Sequence, residues 1–118
     1  MKIIYKIHPL PPLLKEGDEF CNSRYLDVNY SELVEQLIAQ GYLKTPLIIN
    51  AFRDIKRADF LPEYLKDEAG MDVPLPIGFG QTNSQPLTVA FMLELLQPKA
   101  GEKILDIGAG SGWTAALL

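Results

Sequence analysis

The sequence predicts an α/β fold, and three observations support this prediction. Between residues 29 and 96, apolar residues recur with helical period behind recognisable helix-start signals. The run Ile104–Ile107 is apolar apart from one aspartate, which is typical of a buried parallel strand. A glycine-rich turn follows, and a further helix begins at Trp113. Strand, glycine turn and helix form the first half of a βαβ unit.

Composition and charge exclude several classes of protein. The 118 residues fit at most one domain, and their net charge of −4 argues against a nucleic-acid or anionic-membrane partner. The single cysteine, Cys21, cannot form an internal disulfide. No apolar run approaches the roughly 18 residues of a membrane span. We therefore expect a soluble, cytoplasmic, monomeric protein that needs no metal.

The first 29 residues are predicted to form an irregular extension outside the domain proper. Residues 2–7 alternate enough to form a short strand, but three prolines between Pro9 and Pro12 break the pattern. The only histidine, His8, directly precedes the first of these prolines and is expected to be solvated.

A helical segment is predicted over residues 30–70. Asn29 and Glu32 have the spacing of a capping box, and Gly41 stands where that helix should end. Thr45 and Pro46 are the cap and first residue of a second helix. Its buried stripe is predicted to be Leu47, Ile48, Ala51, Phe52 and Ile55. Its solvated face is predicted to be Arg53, Asp54, Lys56 and Arg57.

A polar stretch framed by prolines, residues 74–86, is predicted to be a rigid binding loop. Its prolines fix φ and remove backbone donors, while Gly78 and Gly80 restore freedom between them. Five consecutive uncharged polar residues lie inside it: Gln81, Thr82, Asn83, Ser84 and Gln85. A helix over residues 86–96 follows, with Pro86 at its first position.

The turn after the strand has the pattern Asp-x-Gly-x-Gly-x-Gly, at Asp106, Gly108, Gly110 and Gly112. A dinucleotide-binding turn would need glycine at position 113, which is Trp113. The tighter spacing suits a ligand without pyrophosphate, whose amino-acid end needs backbone contacts and a nearby negative charge. This turn resembles that of class I methyltransferases, which bind S-adenosylmethionine. Alternatively, the glycines only allow the helix to pack closely on the strand.

Two motifs together resemble the protein-L-isoaspartate O-methyltransferase family. They are P-L-P-I-G-x-G-Q-T-x-S-Q-P over residues 74–86 and I-L-D-I-G-A-G-S-G over residues 104–112. Residues 51–53 and 59–62 are also similar to the helical segment of that family. The resemblance implies a Rossmann-like class I S-adenosylmethionine-dependent fold. We expect residues 30–118 to be the N-terminal part of that domain, with its first strand and glycine turn over residues 103–112.

The resemblance implies methyl transfer from S-adenosylmethionine to the free α-carboxylate of L-isoaspartyl residues in damaged proteins. Ser84 would be the active-site hydroxyl, and Gln81 and Thr82 would line the cleft. The residues implied to hold the cofactor are Asp106, Gly108, Gly110, Ser111 and Gly112. A carboxylate is already ionised at neutral pH, so no strong general base is needed. We expect the Ser84 hydroxyl and the free amides of the helix starting at Pro86 to bind the substrate carboxylate jointly. Alternatively, Ser84 only caps that helix.

Several features depart from the family pattern. Asn83 stands where an apolar residue is usual, and it is expected to add a hydrogen bond in the cleft or to alter the turn slightly. Gly70 stands where an aromatic residue is common, and Trp113 replaces a tyrosine-like aromatic. The acidic residue expected to hold the ribose lies beyond the last residue. A strand without a partner forms no sheet, so we expect a chain cut within its first crossover helix, inactive alone and a weak cofactor binder. The alternatives are another class I methyltransferase, acting on a small molecule, and a non-catalytic remnant or interaction fragment.

Overall fold

The computed structural model describes residues 1–5 and 29–118, so the predictions for His8, Cys21 and the prolines between them lie outside the described residues. The described residues form four helices: α1 (Tyr30–Ala39), α2 (Pro46–Asp54), α3 (Pro86–Leu96) and α4 (Trp113–Leu117). Two short 3-10 helices, Arg57–Phe60 and Glu63–Glu68, lie between α2 and the strands that follow. The strands are β1 (Lys2–Tyr5), β2 (Leu75–Gly78), β3 (Gln81–Asn83) and β4 (Ile104–Ile107).

The strands form two separate pairs. β1 runs parallel to β4, in a register that sets Lys2 opposite Ile104 and Ile4 opposite Asp106. β2 and β3 form an antiparallel hairpin with an irregularity between Pro76 and Gly78. The α/β prediction is confirmed. The prediction of an irregular extension is wrong for residues 2–5, because they give the strand Ile104–Ile107 the parallel partner that its neighbours in sequence cannot supply.

The main core lies between the helices and one face of the parallel pair. Phe52 on α2 is fully buried, and its ring meets the edge of Trp113 at a centroid distance of 5.9 Å and an angle of 71°. Leu33, Val34 and Leu37 of α1 join this cluster with Val89, Ala90 and Leu93 of α3. Ile4 of β1 is 4% exposed and belongs to the same core. The buried residues of α1 and α3 thus lie one, three or four positions apart in sequence, which places them on one face of each helix.

The helix starts follow the predicted signals, with one difference. The side-chain oxygen of Asn29 accepts a hydrogen bond from the amide of Ser31 at 3.1 Å, so Asn29 caps α1. Thr45 is at the cap position of α2, but its hydroxyl donates to Glu94 Oε2 at 2.7 Å instead of capping. Glu94 Oε1 also accepts from the amides of Lys44 and Thr45, at 2.7 and 2.8 Å. A carboxylate from α3 therefore satisfies backbone donors at the start of α2.

Two predictions for the second helix are wrong. Leu47 is 58% exposed, because the buried stripe centres on Ile48 and Phe52 and leaves Leu47 at its edge. Arg57 is 0% exposed instead of solvated. The helix ends at Asp54 and the next residue is extended, so the helical period that assigned Arg57 to the polar face no longer applies there.

Candidate functional site

The polar stretch is an antiparallel hairpin with a tight turn. Gly78, Phe79 and Gly80 all have positive φ, at +93°, +53° and +70°. Glycine adopts this conformation without strain, whereas Phe79 is held there with its side chain fully exposed. The turn projects Phe79 and brings the amide and hydroxyl side chains of β3 into a fixed register with β2.

Arg57 holds the base of this hairpin through five hydrogen bonds. Its Nε donates to Asn83 Oδ1 at 2.9 Å. Its two terminal nitrogens donate to four backbone carbonyls, those of Ala69 and Ser84 at 3.2 Å and those of Met71 and Val73 at 2.7 Å. One guanidinium therefore fixes the incoming segment and the end of β3 at once.

The charge on Arg57 is retained inside the protein. Burial lowers the pKa of Arg57 to about 10, which still leaves the guanidinium protonated at neutral pH. The guanidinium carbon also lies 5.4 Å from the centre of the Trp113 ring, within range of a cation–π interaction. Arg57 thereby connects the hairpin to the helix that follows the glycine turn.

Asn83 connects the hairpin to the glycine turn itself. The residue is 3% exposed, and its Nδ2 donates to the Ser111 hydroxyl at 3.1 Å. The hairpin and the glycine turn also come close at a second point, where a Cβ built on Gly110 would be 3.5 Å from Cδ1 of Ile77 in β2. The polar stretch and the glycine turn are therefore direct neighbours in the fold.

The glycine turn requires glycine because of its backbone conformation. Gly108, Gly110 and Gly112 have φ of +81°, +57° and +88°. A Cβ on Gly112 would meet no described atom within 4 Å, and the nearest to one on Gly110 is at an ordinary contact distance. At these two positions, close packing of helix on strand does not explain the glycines. Their positive φ explains them.

Asp106 stands at the carboxyl end of β4 with a carboxylate that lacks a partner. Both of its oxygens are buried, and neither has a hydrogen-bond partner among the described residues. A buried carboxylate without donors is unfavourable unless another group binds it. The site therefore suits a ligand that brings a hydrogen-bond donor or a positive charge.

An open cleft of about 410 Å³ lies where the hairpin meets the glycine turn. Its lining includes three of the predicted site residues, Gln81, Gly110 and Ser111, together with Phe79 and Phe60. Ser84 and Thr82 are half-buried and do not line it, and neither do the remaining glycines of the turn or Asp106. The structure thus brings part of the predicted set to one cleft and leaves the rest beside it.

The start of α3 is already occupied by a negative charge. Asp72 Oδ1 accepts from the amide of Leu87 at 2.8 Å, and Pro86 has no amide hydrogen to offer. The other oxygen of Asp72 accepts from the Gln85 side chain at 3.2 Å. The expectation that free amides of this helix hold a substrate carboxylate is therefore wrong for Leu87. The alternative role of Ser84 fails too, since the cap residue is Gln85 and it makes no side-chain capping bond.

Two important residues of this site, Arg57 and Asp72, had no predicted role in it. Asn83 was expected to add a hydrogen bond in the cleft or to alter the turn, because it is a polar residue at a position where the resembled family has an apolar one. Asp72 and Arg57 bind groups that lie 12 to 27 residues away in sequence, and most of those groups are backbone atoms. Backbone acceptors leave no trace in the sequence.

Comparisons with known proteins agree with this geometry. The profile of the protein-L-isoaspartate(D-aspartate) O-methyltransferases matches residues 28–118, which contain the hairpin, the cleft and the glycine turn. The chain belongs to this family. The protein-L-isoaspartate O-methyltransferase 1 of Rhodopseudomonas palustris is 44% identical over 108 residues, covering 92% of this chain and 42% of the relative. The enzyme of Methanopyrus kandleri is 49% identical over 86 residues, or 73% of this chain and 38% of the relative.

A solved structure is similar as well. It is a Plasmodium falciparum chain assigned as a protein-L-isoaspartate O-methyltransferase and crystallised with S-adenosyl-L-homocysteine. It is 27% identical, with a TM-score of 0.66 over 75% of this chain and 40% of that chain. The present chain thus spans about two-fifths of the length of these relatives. Among the described residues, no helix is long and apolar enough to cross a membrane.

Proposed function

We propose that this chain forms the substrate side and the cofactor turn of a protein-L-isoaspartate O-methyltransferase. The reaction would move a methyl group from S-adenosylmethionine to the free α-carboxylate of an L-isoaspartyl residue in a damaged protein. The observation that carries the proposal is the 3.1 Å hydrogen bond between Asn83 and Ser111. This bond joins the polar stretch, which contains Ser84, to the glycine turn, and it supports the proposal that the two belong to a Rossmann-like class I framework.

The residues of the turn fit such a cofactor. Asp106, Gly108, Gly110, Ser111 and Gly112 would hold it. Among the described residues, the buried carboxylate of Asp106 lacks a donor that a ligand ammonium group would supply, and three glycines with positive φ follow it at the carboxyl end of a parallel strand. When bound, the cofactor supplies an electrophilic methyl group on sulfur.

The chain's own part in the chemistry is alignment. The substrate carboxylate is ionised at neutral pH, so the site has to orient it and exclude other geometries. The Ser84 hydroxyl would donate one hydrogen bond to it without neutralising it, with Gln81 lining the cleft and Thr82 half-buried outside that lining. Arg57 binds the Ser84 carbonyl at 3.2 Å, which fixes the backbone that carries this hydroxyl.

The placement of Asp72 restricts where the substrate carboxylate can lie. A second negative charge close to the Asp72 carboxylate, which already occupies the Leu87 amide, would be repelled. The carboxylate is therefore expected on the side of Ser84 that faces the glycine turn, toward Ser111.

The test is a methyl-transfer assay with an isoaspartyl peptide and its aspartyl isomer. The chain is joined to the remaining segment of the Rhodopseudomonas palustris relative, and the 118 residues alone, expected to be inactive, are assayed in parallel. In the joined enzyme we expect transfer to the isoaspartyl peptide only, and about a hundredfold lower rate for Ser84→Ala because the carboxylate loses alignment.

Ser31→Ala, an exposed serine on α1, is the matched control and should leave the rate unchanged. Equal methylation of both peptides would contradict the proposed substrate. An undiminished rate in Ser84→Ala would contradict the proposed role of that hydroxyl.

A further inference from the structure

Asn83 uses both ends of its amide to join elements that are remote in sequence. Its Oδ1 receives the Nε hydrogen of Arg57, 26 residues earlier, and its Nδ2 donates to Ser111, 28 residues later. The side chain is buried, at 3% exposure. A buried amide whose oxygen and nitrogen are both engaged has one preferred position, so it can transmit a displacement from one partner to the other.

Arg57 determines which way this amide faces. A guanidinium has only donors, so the amide oxygen of Asn83 must turn toward Arg57 and its NH₂ group toward the glycine turn. The orientation is further secured because the same guanidinium is held by four backbone carbonyls. The donor that reaches Ser111 is therefore fixed in direction by a group that itself cannot move far.

The two bonded residues are each next to a proposed functional group. Asn83 precedes Ser84, and Ser111 stands between Gly110 and Gly112 in the turn. A ligand that orders the turn would thus restrain Ser111, then Asn83 and then the backbone of Ser84. Coupling of this kind is reciprocal, so ordering the hairpin would also favour the binding-competent turn.

We propose that Asn83 is a positioning residue that couples the glycine turn to the Ser84 segment, with Arg57 setting its orientation. The coupling itself is a property of the described fold, whereas its use in catalysis rests on the proposed function. In that use, the methyl donor and the carboxylate are aligned together instead of independently.

The experiment measures backbone amide order parameters by ¹⁵N relaxation on the full chain. Ser111→Ala removes only the link, since Ser111 is exposed and Arg57 keeps its partners. We expect the order parameters of Gly110 and Gly112 to fall from about 0.85 toward about 0.6 and those of residues 82–84 to fall with them. If Ser111 had a purely local role, its substitution would change the order parameters of the glycine turn and leave those of residues 82–84 unchanged.

Three further variants sharpen the result. Asn83→Leu should loosen the turn as Ser111→Ala does. Asn83→Asp should keep the glycine turn ordered, because its carboxylate can accept hydrogen bonds from Arg57 and from the Ser111 hydroxyl at the same time. Ser31→Ala is the matched control and should leave all these residues rigid. If the turn loosens in Ser111→Ala while residues 82–84 keep their order, the coupling is refuted.

A titration with S-adenosylhomocysteine separates this proposal from the proposed function. In the unsubstituted chain, saturation should order residues 82–84, and in Ser111→Ala it should order the turn alone. If the unsubstituted chain shows no binding at millimolar ligand, the proposed cofactor role of this chain fails, while the variants without ligand still decide the coupling.

Discussion

Two regions of this molecule differ in whether their buried charged groups have hydrogen-bond partners. In the hairpin region, residues 57–86, the guanidinium of Arg57 has five acceptors within 3.2 Å. In the sheet region, comprising β1, β4, the glycine turn and α4, both buried oxygens of Asp106 lack a partner among the described residues. Every buried side-chain polar atom described in the hairpin region has a partner, whereas in the sheet region the Asp106 carboxylate, Trp113 Nε1 and Thr114 Oγ1 have none among the described residues, and the carboxylate is the charged group left for another molecule.

The same contrast holds for apolar surface. Leu75 of β2 is 3% exposed and packs in a second small core with Leu61 and Leu65. One face of the parallel pair, in contrast, leaves Ile3, Leu105 and Ile107 each about 40% exposed. Parallel strands are usually covered on both faces. The sheet region thus leaves apolar side chains exposed to solvent, in addition to buried polar atoms that lack a hydrogen-bond partner among the described residues.

The largest expected effect is that of removing the charge that organises the hairpin region. Arg57→Met keeps much of the side-chain volume but leaves four carbonyls and the Asn83 amide without a donor. We expect the free energy of unfolding to fall by about 3–5 kcal/mol, as measured by circular dichroism in urea.

Arg53→Met is the matched control, since Arg53 is a half-exposed arginine paired with Glu35 on the surface. The free energy of unfolding of this variant should fall by less than about 1 kcal/mol. Similar losses in the two variants would mean that the buried guanidinium contributes no more than a surface ion pair.

A smaller loss is expected where a carboxylate holds two helices together. Desolvation alone would raise the pKa of Glu94, but the amides of Thr45 and Lys44 and the Thr45 hydroxyl bring it below its ordinary value. The stabilisation is therefore complete above the unfolded pKa of about 4.3 and is lost as the pH falls through the lower folded value. Glu94→Gln should lower the free energy of unfolding by roughly 1–2 kcal/mol at pH 7.

The pH series identifies the cause of this loss. The difference between Glu94→Gln and the unsubstituted chain should shrink as the pH is lowered from 6 to 3. A difference independent of pH would assign the loss to packing and not to the carboxylate charge.

The smallest expected change in the free energy of unfolding is an increase, whereas the changes above are decreases. Asp106→Asn replaces a buried carboxylate that has no partner in the described part of the chain by a neutral amide, so the free energy of unfolding should rise by roughly 1 kcal/mol. Calorimetric titration should show about tenfold weaker binding of S-adenosylhomocysteine to the same variant, because the ligand ammonium loses its counter-charge.

The exposed Asp67→Asn is the control for both measurements. If Asp106→Asn destabilised the chain as strongly as Arg57→Met, Asp106 would be a structural group and the contrast between the two regions would disappear.

Local signals in the sequence were enough for the helices and the central strand. Asn29, Pro46 and Pro86 marked three helix starts correctly, and the apolar run Ile104–Ile107 is a parallel strand. These features depend on neighbouring residues, whose spacing is visible in the sequence. The motifs also identified the family, since a framed polar stretch and a glycine turn rarely occur together by chance.

Non-local partnerships could not be predicted in the same way. The strand of residues 2–5 pairs with residues about 100 positions later, and Asp72 caps a helix that starts 14 residues downstream. Arg57 was assigned to solvent because the sequence does not show that the chain becomes extended after Asp54. Its acceptors are mostly carbonyls, which every residue possesses.

The indole of Trp113 has a practical consequence. It is the chain's single tryptophan, it directly follows Gly112, and it is 1% exposed between Phe52 and the guanidinium of Arg57. Its fluorescence is therefore an intrinsic optical signal from the junction of the two regions. Emission should respond both to loss of the helical core and to a ligand settling in the adjacent turn, without any attached label.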